Sequence, residues 1–165
     1  MNTGQLMLIV GAMALLSTGI LMMNNSFTNS GQVVLKAKLG INAVSLAASV
    51  IQEACGQQFD RASNDSGITT LAQLTPVNQL GMDIGESYPD SVDDFDDYNG
   101  VKFVRSIDKS GVYTVWCKVT YVDPANPDVA SSTPTWHKKL SVFVSAPEMT
   151  DTVRADYIYS YWYFR

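Results

Sequence analysis

MNTGQLMLIVGAMALLSTGILMMNNSFTNSGQVVLKAK, residues 1–38, decides how the rest of this chain is read. No charged side chain occurs before Lys36, and from Leu6 to Met23 nearly every residue is apolar or small. As a helix, 6–23 would rise about 27 Å, close to the roughly 30 Å hydrocarbon thickness of a bilayer. The stretch suits a membrane span. It does not suit a secretory signal peptide, because no Lys or Arg precedes Leu6 and no A-x-A-like site ends the apolar run.

The apolar pattern pauses over 24–31, NNSFTNSG, and then resumes in amphipathic form. Val34, Ala37, Ile41, Val44, Ala48, Ile51 and Cys55 recur at three- and four-residue steps, and Leu35, Leu39, Leu46 and Val50 broaden that face. Lys36, Lys38, Asn42, Ser45, Ser49, Gln52 and Glu53 supply most of the polar side. One long helix with a weak joint is expected. The joint residues compete for backbone hydrogen bonds or raise backbone entropy, so they form helix poorly.

The chain has 165 residues and a net charge of -5, which suits one domain plus an appendage. Its basic residues are scattered, so no nucleic-acid partner is indicated. Past the helix comes a loop region, about 57–100, with a short helical piece expected at 69–74. Four strands are expected after it: Val101–Ile107, Val112–Val122, His137–Ala146 and Thr152–Phe164, with DKSG as the first turn. In the second, Tyr113, Val115, Cys117, Val119 and Tyr121 share one face, with Thr114, Trp116, Lys118 and Thr120 on the other. Leu140, Val142 and Val144 share a face of the third. A half-buried sheet and a one-sided helix are natural partners, so the expected class is α+β, a helix laid on a four-stranded antiparallel sheet. The division is an apolar helix, 1–32, and a head, 33–165, made of helix 33–56, acidic loop 57–100 and sheet 101–164. Cys55 and Cys117 would face the same core.

The loop carries Asp90, Asp93, Asp94, Asp96 and Asp97. Calcium needs several oxygens from a flexible loop, but EF-hand spacing fails at Tyr98 and no Glu closes the loop. The plain reading is a solvated acidic loop ending in an Asn99-Gly100 turn, with no metal or cofactor assigned. His137 is the only histidine, which leaves no Ser-His-Asp or Cys-His set, and no enzyme is expected. The aromatic C-terminus reads as a strand with cross-strand pairs.

QLMLIVGAMALL, 5–16, resembles the start of mature type IV pilins, in which an acidic fifth residue precedes Leu-Met and an apolar run. The order of parts is similar as well, and the sequence likeness is specific over about the first 25 residues. The resemblance implies that Met1 is a processed N-terminus, exposed when prepilin peptidase removes a short basic leader. It implies a subunit held in the inner or cytoplasmic membrane and then polymerised with its own copies by a pilus assembly machinery into an extracellular filament. Adhesion, motility and surface attachment are left open. Met1, Gln5 and Leu6 would lie in the packed end of the filament core, and Gly4, Gly11, Ala12, Ala14 and Gly19 would allow close helix approach. A Cys55–Cys117 disulfide is expected for such a surface protein, the alternative being two thiols apart in one core. Two departures stand out. Gln5 replaces the usual Glu, so a neighbouring subunit's N-terminal amine is less compensated. Met22 stands where the family often has Pro, and the weak joint falls later, between Gly19 and Gly31, where the helix is expected to open on assembly. Two other classes fit the same residues: a pseudopilin-like component of a secretion system, and a monomeric membrane-tethered binding module.

Overall fold

The computed structural model describes residues 2–63, 67–107 and 111–164. The chain forms two compact units, Met1–Lys38 and Leu39–Arg165. The long helix α1 runs Thr3–Cys55 and contributes to both.

In the first unit the helix is exposed along its described length. The weak joint, 24–31, is helical in this isolated chain. Ser17 and Thr28 donate their hydroxyls to the carbonyls of Met13 and Asn24, at 2.8 and 3.0 Å, and Thr18 bonds that of Leu15 at 2.9 Å. These side chains turn back onto the helix instead of competing with it.

The second unit is α+β. Strands β1 (Lys102–Ile107), β2 (Gly111–Asp123), β4 (His137–Ser145) and β5 (Val153–Ser160) form an antiparallel sheet in the order β1-β2-β4-β5. A further strand, β3 (Asn126–Ala130), pairs with the end of β2. It lies within the segment read as a polar loop, DPANPDVASSTPT. There Asp123 Oδ1 accepts the Ala125 N–H at 2.9 Å and turns the chain back on itself. The DKSG turn lies largely outside the described residues. β5 ends at Ser160, four residues before the expected Phe164, and Tyr161–Phe164 form a 3-10 turn. There Tyr161 N–H donates to the Trp136 carbonyl at 3.0 Å.

Alternation places the sheet faces as expected. Tyr113, Val115, Cys117, Val119 and Tyr121 are all buried, and their cross-strand partners include Val144, Val142 and Leu140. On the other face Trp116 stacks on Phe143 at 5.3 Å.

The helix stripe is met in part: Leu39, Leu46 and Val50 of the expected face are buried, but its centre is not. The buried positions are Leu39, Ala43, Leu46, Ala47, Val50 and Ala54. Ile41 and Val44, placed at the centre of the expected stripe, are 69% and 55% exposed, and Ala48 is exposed too. The bulky β-branched residues drew the expectation to their own side. The sheet instead takes the side with alanines, which let the helix axis approach, while large rings such as Tyr113 fill the space from below. The Tyr113 hydroxyl reaches the Leu39 carbonyl at 3.5 Å.

Candidate functional site: an apolar helix and a buried acidic knot

Two features stand apart from ordinary packing. The first is the surface of the N-terminal helix. Leu6, Met7, Leu8, Ile9, Val10, Met13, Leu15, Leu16, Ile20, Leu21, Met22, Met23 and Phe27 are all exposed, on every side of the helix. By length and composition the helix is able to cross a membrane. Gly4, Gly11 and Gly19 have open space where a Cβ would stand, so their surfaces are free for close approach. Gln5 and Ala14 lie exposed on the same helix. Met1 lies outside the described residues.

The second feature lies in the head, where the sequence suggested a solvated loop. DDFDD, 93–97, is folded inward: Asp94, Asp96 and Asp97 are buried. The backbone N–H groups of this loop are what the carboxylates bind. Asp94 Oδ1 accepts from Asp96 N and Asp97 N at 2.8 and 3.2 Å, and Asp94 Oδ2 accepts from Arg61 N at 2.9 Å. Asp97 Oδ2 accepts from Asp93 N and Asp94 N at 3.1 Å each. A short parallel bridge, Gln58 to Asp94, docks the loop beside the end of the helix. Gly100 then takes φ +83°, a left-handed conformation open to glycine, and its N–H donates to Cys117 O at 3.1 Å.

A fully buried lysine neutralises the knot. Lys138, opposite Tyr121 in the β2–β4 register, ends at Asp60 Oδ2 (2.8 Å), the Phe59 carbonyl (2.7 Å) and Asp96 Oδ1. Asp60 also accepts from Ala62 N (3.1 Å), Thr75 N (3.0 Å) and Thr75 Oγ1 (3.2 Å). Burial pushes its carboxyl up, but Lys138 and these bonds hold it below the ordinary value. The other carboxyls shift the opposite way. Burial, with the Asp96 charge beside it, pushes Asp94 up to about 7, and burial pushes Asp97 up to about 6. Asp96 is raised by burial despite Lys138.

These opposed shifts set a pH dependence. The stability tied to Asp94 and Asp97 is complete below the unfolded carboxyl value of about 4 and is lost as pH rises through about 6 to 7. That tied to Asp60 is present above about 4 and is lost as pH falls through its lowered value. Head stability should therefore peak in mild acid and decline toward pH 8. Asp97→Asn retains an acceptor oxygen for Asp93 N and Asp94 N and removes the charge. Thermal unfolding should show this variant gaining on the parent at pH 8 by a few degrees, about 1 kcal/mol after solvent screening, with no gain at pH 4. Parallel melting curves for the two chains across this range would refute the assignment.

Glu86, Asp93 and Asp97 bring carboxylate oxygens within 4.8 Å of one another. Acidic groups at that spacing do not by themselves define a metal site.

The expected Cys55–Cys117 disulfide is not made: both thiols are free. Cys55 at the end of the helix bonds Tyr157 on β5, while Cys117 lies on β2, with β4 between. The two thiols instead pack in one core as small hydrophobes. Burial raises both, and Cys117, with Glu53 nearby, is pushed up to about 12.

Comparisons with protein-family models, curated proteins and solved structures find no match to this chain. The structure has a long apolar N-terminal helix and an antiparallel sheet carrying the rest of that helix, a layout compatible with a pilin-like shape.

Proposed function

We propose that the chain is a structural subunit that polymerises through its apolar N-terminal helix into a type IV pilus-like filament on the cell surface. Before assembly the same helix anchors the subunit in the membrane. The observation that carries the reading is apolar surface beyond the length of one span. A helix apolar on all sides needs lipid or other helices around it. Lipid accounts for 6–23. It does not account for Val33, Val34 and Leu35, nor for Ile41 and Val44 on the uncovered side of the head's own helix. In hydrocarbon, helix association rests on packing of small residues, since lipid and protein are equally apolar there. Gly4, Gly11, Ala14 and Gly19 supply such positions. Partners on this reading are copies of the chain, the membrane, a processing peptidase and an assembly machinery.

The membrane-tethered module remains the second reading, favoured by a helix long and apolar enough to cross a bilayer. Electron microscopy of material sheared from cells separates the two. Long filaments whose protein content is this chain are expected. A chain recovered only with membranes, in cells that carry no such filaments, would favour the tether. Short assemblies in which this chain is a minor component would favour a pseudopilin-like role.

A further inference from the structure

We propose that Lys138 and Asp96 condense into an intramolecular isopeptide bond, tying the acidic knot covalently to β4. The two groups meet in a sealed site. Lys138 is completely buried and Asp96 nearly so. The Phe59 ring centroid lies 4.7 Å from Lys138 Nζ and that of Tyr121 lies 5.4 Å from it. An ammonium and a carboxylate held there are two desolvated charges, which is costly even when they are paired. The amide is neutral, and the water released leaves for solvent. Burial thus favours condensation between groups that would remain ions in water.

The surrounding carboxyls divide the work of proton transfer, because their environments push them apart. Asp60, 2.8 Å from Nζ, is held as a carboxylate by the hydrogen bonds from Thr75 and Ala62 and is the base. Asp94, whose Oδ1 accepts the Asp96 N–H at 2.8 Å and whose carboxyl burial pushes up to about 7, is the acid. Asp60 takes a proton from the Lys138 ammonium. The freed amine attacks Asp96 Cγ and forms the C–N bond. One Cγ–O bond breaks, and that oxygen leaves as water, taking the proton from Asp94 and the one that Asp60 carried. The nitrogen's second proton restores Asp94, and its third remains as the amide N–H. The net change is one ammonium and one carboxylate converted to one amide and one water. No oxidant, cofactor or metal enters.

The two residues are 42 positions apart, and the bond would enclose β1, β2 and β3 in one covalent loop. It would join elements across the sheet, which the free thiols do not. Its presence does not depend on filament assembly, so a chain that never polymerises would show it equally.

Mass spectrometry of the full-length chain, purified in detergent and then denatured, is the test. The expected mass is one water below that of the sequence. Trypsin should release peptides 62–102 and 119–139 as a single cross-linked species, with fragmentation placing the link at Asp96 and Lys138. Lys138→Arg should give the mass of its own sequence. A parent chain of unreduced mass overturns the proposal. A water lost with the two peptides still separate, as in an aspartyl succinimide, also overturns it. A link from Lys138 to peptide 39–61 would place the bond at Asp60 and overturn the assignment to Asp96.

Discussion

Ala14→Asp should abolish filaments while leaving the head folded. Position 14 lies near the middle of the apolar stretch, eight residues beyond Leu6 and nine before Met23. A charged side chain at the centre of a hydrocarbon-embedded helix costs about 2.5–3.5 kcal/mol on insertion-based scales. In a filament the charge is present in every subunit, so each helix contact in the core bears the penalty. An anchored monomer relieves the charge by snorkelling and local bilayer thinning, relief that close-packed helices do not allow; losing about 3 kcal/mol of it on assembly weakens each addition more than a hundredfold, enough to stop growth. The head has its own core, from Leu39 onward, and should be unaffected. Trp116 and Trp136 report on that head by fluorescence. The measurement is filament yield by electron microscopy, beside a membrane fractionation showing that the variant still reaches the membrane. A membrane-inserted variant that assembles in normal amount would remove the apolar helix from the filament core and the proposed function with it.

How much of this was legible in the sequence varies with the range of the interactions involved. The uncharged helix was legible because its signal is local composition. The face of β2 was legible because the strand alternates without a break. The helix stripe was legible in part: Leu39, Leu46 and Val50 are buried as expected, but the stripe was centred on Ile41 and Val44 where the sheet takes Ala43 and Ala47, a choice set by the shape of the sheet beneath, which no helical periodicity carries. β3 was hidden by Pro127 within it, by the prolines on either side and by its length of five residues. The acidic knot was missed for a different reason. Asp94, Asp96 and Asp97 each look like loop residues, and their cation lies 42 residues away from Asp96. One clue was present. Leu140, Val142 and Val144 were read as one inward face, and the same alternation extended back by two residues reaches Lys138. An inward-pointing lysine demands a buried carboxylate, and DDFDD was the richest source of one. The cysteines illustrate the converse. Their faces were read correctly, yet two thiols can face one core without pairing, and here each packs as a small hydrophobe.

Lys138→Met is expected to be the most damaging single change in the head. The lysine is not a surface charge: it is fully buried, and Asp60 and Asp96 both direct an oxygen at it. Removing it leaves two carboxylates facing each other without a counter-ion. Breaking a buried pair from one side costs about 3–5 kcal/mol, because the remaining charge stays desolvated. That is a large part of the roughly 5–15 kcal/mol by which a domain of this size is stable. The effect should be largest above neutral pH. In acid the raised carboxyls, Asp94 and Asp96 among them, take up protons and the repulsion eases. Methionine matches much of the lysine's length, so packing against Phe59 and Tyr121 is largely kept and the loss reports on charge. Urea unfolding followed by tryptophan fluorescence at pH 8 and pH 5 measures it. A second chain, Lys138→Met with Asp60→Asn and Asp96→Asn, removes the stranded charges together with the lysine. The two asparagines keep acceptors for some of the N–H groups now bound by Asp60. Neither variant can form the amide to Asp96, so the difference between them reads the stranded charges alone, and the triple variant should be clearly more stable than the single one at pH 8. If the triple variant were as unstable as the single one at pH 8, the knot would be held by packing and hydrogen bonds, and the ion pairs would contribute nothing that a neutral network lacks. A single variant as stable as the parent would mean that the buried charges already find relief from water, contrary to the sealed geometry around Lys138.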